Sequence, residues 1–195
     1  AMREWIGSRV LKQLDGKAYT LTNKDFESTV VVDRNDIEDD VNGIYGPMMR
    51  ELGYAAATHP DELVFAQLAA GFAGLCYDGK PFFAPDHPVG AAGTVSNMTG
   101  GAGSPWFLLD TRRALKPLIF QKHKDYAFTN MTKPDDELVF MSKQYRYGVD
   151  ARAACGYGFW QTAYGSKAAL DSAALGNAQE AMMAFKSDEG RPLNI

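Results

Sequence analysis

The feature that most constrains this chain is a run of apolar residues at helical spacing: Ile37, Val41, Ile44, Tyr45, Met48, Met49, Leu52, Ala55 and Ala56. Steps of three and four residues place these side chains on one face of a helix about five turns long. Gly43, Gly46 and Pro47 interrupt the run, which predicts a kink or a break with Pro47 near a new N-terminus. An acidic knot, Asp33-Arg34-Asn35-Asp36-Ile37-Glu38-Asp39-Asp40, leads into it and carries the whole net charge of −4. A calcium loop needs oxygen ligands at its first, third and fifth positions and a glycine at its sixth. Starting at Asp33 puts Ile37 fifth and Glu38 sixth, and starting at Asp36 puts Val41 sixth, so both registers fail. The acids fit a helix N-terminus, where they accept from free backbone N–H groups and oppose the dipole. Beyond the helix, Thr58-His59-Pro60-Asp61 predicts a restart capped by Thr58. Residues Leu63 to Leu75 are apolar nearly all round and predict a buried helix.

Strands are predicted on both sides of these helices. Residues 17–32, KAYTLTNKDFESTVVV, read as two β-runs around a polar turn at Asn23-Lys24-Asp25. Such a hairpin either extends from the core as a partner-binding arm or forms an ordinary sheet edge. Further strands are expected at Pro117 to Phe120, at Val139 to Met141 and at Tyr145 to Val149, with the charged stretch Lys122 to Asp125 after the first. The dense small and aromatic run from Asp150 to Trp160 suits closely packed sheet, and Asp171 or Ser172 caps a last helix through Phe185. Together these make an α+β chain. Its 195 residues, 46% hydrophobic and 23% charged, fit one or two soluble globular domains. Pro88 to Leu109 is uncharged to its end but holds five glycines and two prolines, so it reads as a loop and not a membrane span. Ala1 before Met2 suggests a cleaved tag, and the stop just after Leu193 suggests a fragment cut inside a fold.

Several classes of chemistry fail on their own motifs. A near-neutral body argues against a dedicated nucleic-acid binder. Cys76 and Cys155 form neither a CxxC pair nor zinc spacing, and read as buried small residues in a reducing compartment. Gly74 to Pro81 resembles a phosphate loop, but Pro81 stands where a hydroxyl must reach Mg²⁺. The glycines at 100, 101 and 103 fail the dinucleotide pattern because Trp106 follows. Of the three histidines, His59 suits a helix junction and His123 has no partner at ligand spacing. Asp86-His87 is the remaining acid–base candidate, flanked by Pro85 and Pro88 and accompanied by no nucleophile motif. Arg112, Arg113, Lys116, Lys122 and Lys124 make a modest basic patch, read as a solvated face or a weak phosphate contact. No catalytic residue, cofactor or metal is assigned.

One resemblance covers nearly the whole chain, block by block in order. REWIGSRVLKQL, YTLTNKDFESTVVVDRNDIEDDVNGIYGPM, AATHPDELV, LCYDGKPFFAPDHPV, PWFLLDTRRALKPLIFQ and YGVDARAACGYGFWQTAYGSKAAL resemble the Mu-like prophage major head subunit. The resemblance implies a tailed-phage major capsid protein with the Hong Kong 97-like fold. It implies an extended β-hairpin loop within residues 1–35, a spine helix and peripheral-domain part over 36–105, and an axial-domain part over 106–195. The hairpin then supplies the contact with a neighbouring subunit, through Tyr19, Leu21, Lys24, Phe26 and Val30. The implied partners are further copies of the chain in hexamers and pentamers, with a scaffold, a maturation protease and a portal. Packaged DNA is touched only weakly and no membrane is involved. The implied place is the virion capsid, assembled in the bacterial cytoplasm. The family's N-terminal arm and C-terminal strands have no counterpart in these 195 residues. The alternatives are a non-viral nanocompartment shell of the same fold and a hydrolase built on Asp86-His87.

Overall fold

The computed structural model describes residues 20–40, 43–90, 93–187 and 192–195. Its first element is the strand β1 (Lys24–Asp33), carried by Phe26, Thr29 and the three valines from Val30. It pairs antiparallel with β7 (Gln144–Tyr157) along its whole length, from Lys24 opposite Ala153 to Asp33 opposite Gln144. The other edge of β7 pairs antiparallel with β6 (Leu118–Met131), so β7 is the middle of a β1-β7-β6 sheet. The hairpin expected at 17–32 is therefore corrected. Lys24 and Asp25, assigned to its turn, lie inside β1, and residues 20–23 carry no strand. Residues 17–19 fall outside the described residues. A ten-residue ladder outweighs the turn preference of two polar residues, and Asp25 gains Arg152 across the strands, with Nε 3.2 Å from Oδ1.

The acidic knot behaves as read. Asp33 caps the short helix α1 (Arg34–Glu38), its carboxylate accepting from Asn35 N at 2.8 Å. Asp40 accepts from Ile44 N and Tyr45 N, at 3.1 and 3.2 Å, and so holds the entry to α2 (Tyr45–Ala69). The helical run thus breaks between Glu38 and Tyr45, with Pro47 in the first turn, where its missing N–H costs little. The restart expected at Thr58 does not occur. The helix runs straight through Pro60 for 25 residues, about 37 Å. The Thr58 hydroxyl donates back to Tyr54 O and Ala55 O rather than capping a new helix. His59, one residue before the proline, is held by Phe26 and Tyr126 and keeps the helix on the sheet.

After α2 come a 3₁₀ turn (Ala70–Phe72), a small ribbon of β2 (His87–Pro88) and β3 (Thr94–Val95), and a second sheet. There β8 (Ala163–Ser166) lies between β4 (Met98–Thr99), parallel to it, and β5 (Trp106–Leu109), antiparallel. The strand expected at Val139–Met141 is instead the helix α3 (Glu137–Ser142), closed by Lys143 at φ 55°. The charged stretch Lys122–Asp125 is strand, inside β6, with the register slipping between Lys122 and Ala127. The last helix, α4 (Ser172–Ala184), is capped by the first of its two candidates, Asp171, accepting from Ala174 N.

Two hydrophobic clusters result. The smaller joins Leu52 and Ala56 of α2 to Val149 of β7, with Val30, Tyr126 and Tyr147 around them. The larger gathers Leu68, Phe82, Phe83, Tyr157, Trp160 and Phe185 between the second sheet and α4. Each draws on residues before and after position 105. Phe83 is gripped between Gly71 and Gly165: a Cβ on either would sit 2.8 Å from its ring, so only glycine fits. The all-round burial expected from Leu63 to Leu75 is corrected. Leu68 is 6% exposed, but Phe65 is 66% and Leu75 60% exposed, because only one side of this segment meets the chain's own core. Leu68→Asp is expected to lower stability by about 3–4 kcal/mol, through an unpaired charge in the larger cluster. Phe65→Asp should change it by no more than about 0.5 kcal/mol, as an exposed position does. Urea unfolding of the two variants checks the contrast.

Candidate functional site

The best-organised polar group in the molecule lies in the turn-rich stretch after α2. Cys76 N donates to Lys80 O at 2.8 Å and Gly79, at φ +81°, donates to Cys76 O, which closes a tight turn. Asp78 projects from this turn into the protein. Its Oδ1 accepts from Lys80 N and from the Cys76 thiol, each at 3.0 Å, and its Oδ2 lies 2.7 Å from His87 Nδ1. The side chains of His87 and Asp78 are 0% and 1% exposed. The His87 ring lies flat on Trp160, centroids 4.1 Å apart and planes 9° apart. Its Nε2 faces Asn97 Oδ1 at 3.2 Å.

Asn97 is wholly buried and ties this loop to the second sheet. Its Oδ1 accepts from Ala84 N at 2.9 Å, and its Nδ2 donates to Phe82 O at 2.8 Å with Trp160 O and Ala163 O close by. The Asp86-His87 pair offered by the sequence is not a pair. Neighbouring residues entering a strand point to opposite sides, so Asp86 turns outward to an ion pair with Lys80 while His87 turns in. The sequence reading missed Asp78 and Asn97. The C-x-D spacing at 76–78 was a faint signal, and Asn97 had none. Burial pushes the Cys76 thiol up to about 12, aided by its bond to the Asp78 carboxylate, so alone it is no nucleophile at neutral pH. Burial also opposes ionisation of Asp78, but hydrogen bonds from Cys76, His87 and Lys80 N outweigh it and hold this carboxyl below its usual range.

The proposed contact residues have mixed fates. Phe26 packs edge-on against His59, 4.4 Å between ring centroids, and His59 Nδ1 bonds Tyr126 Oη at 2.6 Å. Val30 packs against the smaller cluster. Both side chains are half-buried in these contacts with their own chain. Leu21 is half-buried and Lys24 exposed, while Tyr19 lies outside the described residues. The basic patch is largely neutralised in place. Arg112 and Arg113 both pair with Asp110, Lys122 with Asp125, Lys124 with Asp150, and Lys116 donates to Thr111 O. Arg113 also donates to Leu193 O and Asn194 O, pinning the segment 192–195.

The surface, by contrast, is rich in large apolar side chains. Met131, Phe140 and Met141 are 46%, 78% and 72% exposed at one end of the first sheet, and Tyr54 and Phe65 stand out along α2. A lone molecule in water gains nothing from such exposure, and contiguous patches mark surfaces that another protein covers. Among the described residues no helix is long and apolar enough to cross a membrane.

Solved structures place this architecture in one class. The chain superposes over its full length, and over 68% of the other chain in each case, on the procapsid of bacteriophage JBD30 (TM-score 0.83, 54% identity) and on its capsid (0.86, 36%). The fold is that of a phage capsid protein, a mixture of helices and sheets built for self-association. Residues 1–195 match the family described as Mu-like prophage major head subunit gpT. The sequence is 41% identical to the major capsid protein of Escherichia phage Mu and 44% identical to the Mu-like prophage FluMu major head subunit of Haemophilus influenzae. Both alignments take in all of this chain and 67% of the relative. The chain belongs to the Mu-like prophage major head subunit family. Its function is that of a structural subunit of the phage head.

Asp110 gives a pH test of its pairing with Arg112 and Arg113. Hydrogen bonds from the Arg112 guanidinium and then its backbone N–H, with the charges of both arginines, lower this carboxyl to about 2, below the 3.8 of a free aspartate. A lowered folded value adds stability that is present above pH 4 and is lost as pH falls from 4 toward 2. Asp110→Asn is expected to flatten the acid limb of the Tm–pH profile in that window and leave its shape above pH 5 unchanged.

Proposed function

We propose that this chain closes an icosahedral shell as a Hong Kong 97-like subunit in hexamers and pentamers. The observation that carries the reading is the set of large apolar side chains left exposed, among them Tyr54 and Phe65 on α2 and Phe140 and Met141 on α3, by a chain whose polar centre is buried. In this reading α2 is the spine helix. The peripheral part comprises α2 with β1, β6 and the first half of β7, and the axial part comprises the second sheet, α4 and the loops from Cys76 to Thr99. The cuts expected at positions 35 and 105 stay a proposal beside this division, and both hydrophobic clusters draw on residues from either side of position 105. Scaffold, maturation protease and portal are the further partners proposed, with packaged DNA touched only weakly because four of the five basic residues of the 112–124 patch already hold acidic partners. Tyr19, Leu21, Lys24, Phe26 and Val30 remain the proposed contacts with a neighbouring subunit, Phe26 and Val30 through the part of each side chain that its own chain leaves uncovered.

The chain acts without catalysis in this proposal. His87 reaches Asp78 and Asn97 but no serine or thiolate nucleophile, and Asp86 faces away from it. A capsid subunit does its work by area: a stable contact buries on the order of 1,200–2,000 Å² in total. Phe140→Asp with Met141→Asp is expected to abolish shell-sized particles in light scattering and electron microscopy while changing Tm by less than about 2 °C. Particles of parental size from that double variant would remove this end of the sheet from the assembly surface. Turnover of ester or phosphoester substrates by the parent would replace the structural reading with an enzymatic one.

A further inference from the structure

His87 stands between two oxygens, and counting its hydrogens leads to a requirement. The amide of Asn97 is oriented by Nδ2 donating to Phe82 O and Oδ1 accepting from Ala84 N. Its oxygen therefore faces His87 Nε2, and that nitrogen carries a hydrogen. The other nitrogen, Nδ1, is 2.7 Å from Asp78 Oδ2. An imidazole lone pair and a carboxylate oxygen at that distance need a cation between them. A proton meets the need, and so does a metal ion. Cys76 brings a third ligand-type atom to the same carboxylate: its thiol donates to Asp78 Oδ1 at 3.0 Å, and a metal ion would replace that proton as well.

We propose that Cys76 Sγ, Asp78 and His87 Nδ1 form a buried site for one zinc-type divalent ion. The three ligand atoms already lie within 4.8 Å of one another. Zinc at 2.3 Å from sulfur and 2.0–2.2 Å from nitrogen and oxygen sets tetrahedral neighbours roughly 3.3–3.7 Å apart. The Asp78–His87 and Cys76–Asp78 contacts, at 2.7 and 3.0 Å, would each open by about 0.6 Å. The Nε2–H bond to Asn97 is the outer contact that fixes the tautomer of a ligating histidine. Charge balances in the buried space. The ion displaces two protons, one from the Cys76 thiol and one from the His87–Asp78 bridge, and its two positive charges meet one thiolate and one carboxylate. Three protein ligands leave the fourth position to a water. The ion would rivet the turn at 76–80 to the Trp160 face of the larger cluster.

Cobalt titration of metal-free protein tests this. The expected result is one Co²⁺ per chain, with a thiolate-to-cobalt absorption in the near ultraviolet and tetrahedral d–d bands in the visible. Zinc should displace it and raise Tm by about 5 °C or more over chelated protein. Cys76→Ser should lose the ultraviolet band. Cys155→Ser should keep it, and makes the same assignment if the first variant does not fold. The proposal is overturned if the parent shows no such band and its Tm is indifferent to zinc and chelator, which leaves a proton in the bridge. A band that vanishes with Cys155→Ser overturns it as well.

Discussion

The structure hangs on β7, among the described residues the only strand of the first sheet with a partner on both edges. Its 14 residues accept β1 along one side and β6 along the other, and its faces serve both cores. Near its middle Val149 meets Leu52 and Ala56 of α2, and at its end Tyr157 stacks on Phe82 and donates to Gln67 O. One extended stretch of backbone thus couples the long helix to the aromatic cluster. A break in β7 would separate two cores that are each small.

The second core is organised around polar atoms that have nowhere else to go. Asn97, His87 and Asp78 are withdrawn from water, and each finds its partners within the loop from 76 to 99 or on the backbone of the second sheet. Such a network is costly when half made and specific when complete, so it selects one arrangement of a loop rich in glycine and proline. Trp160 covers it on one side, and Phe185 closes against Trp160 edge-on, 5.6 Å away. The result is a rigid block with its chemistry turned inward, which suits a subunit whose outward business is contact.

The outer surface explains where sequence patterns misled. Leu63 to Leu75 carries apolar residues nearly all round, the pattern of a helix buried by its own chain. In the structure only Leu68 and Gly71 are buried in that stretch. In a head subunit apolar residues answer to two kinds of neighbour, those of the same chain and those of other copies, and a sequence does not label which. Val139 to Met141 shows the same ambiguity at short range. Three apolar residues suit a strand, but Asp136 and Glu137 at the front and a left-handed Lys143 behind close them into a single helical turn and a half.

What the sequence determined by itself is local or is written in the whole pattern. The caps at Asp33 and Asp171, the break before Tyr45, the failure of the phosphate loop at Pro81 and the family resemblance all rest on neighbouring residues or on block order. The tertiary structure decided everything that depends on distant partners. It drew Lys24 and Asp25 out of a turn because residues 152 and 153 offered a ladder, and it carried α2 through Pro60 because the sheet holds Phe26 and Tyr126 against His59. It also parted Asp86 from His87 and set Asp78 in its place. Turn and cap preferences are worth about 1 kcal/mol or less, whereas a strand ladder and a buried face sum many such contributions, so the long-range partner prevails wherever the two disagree.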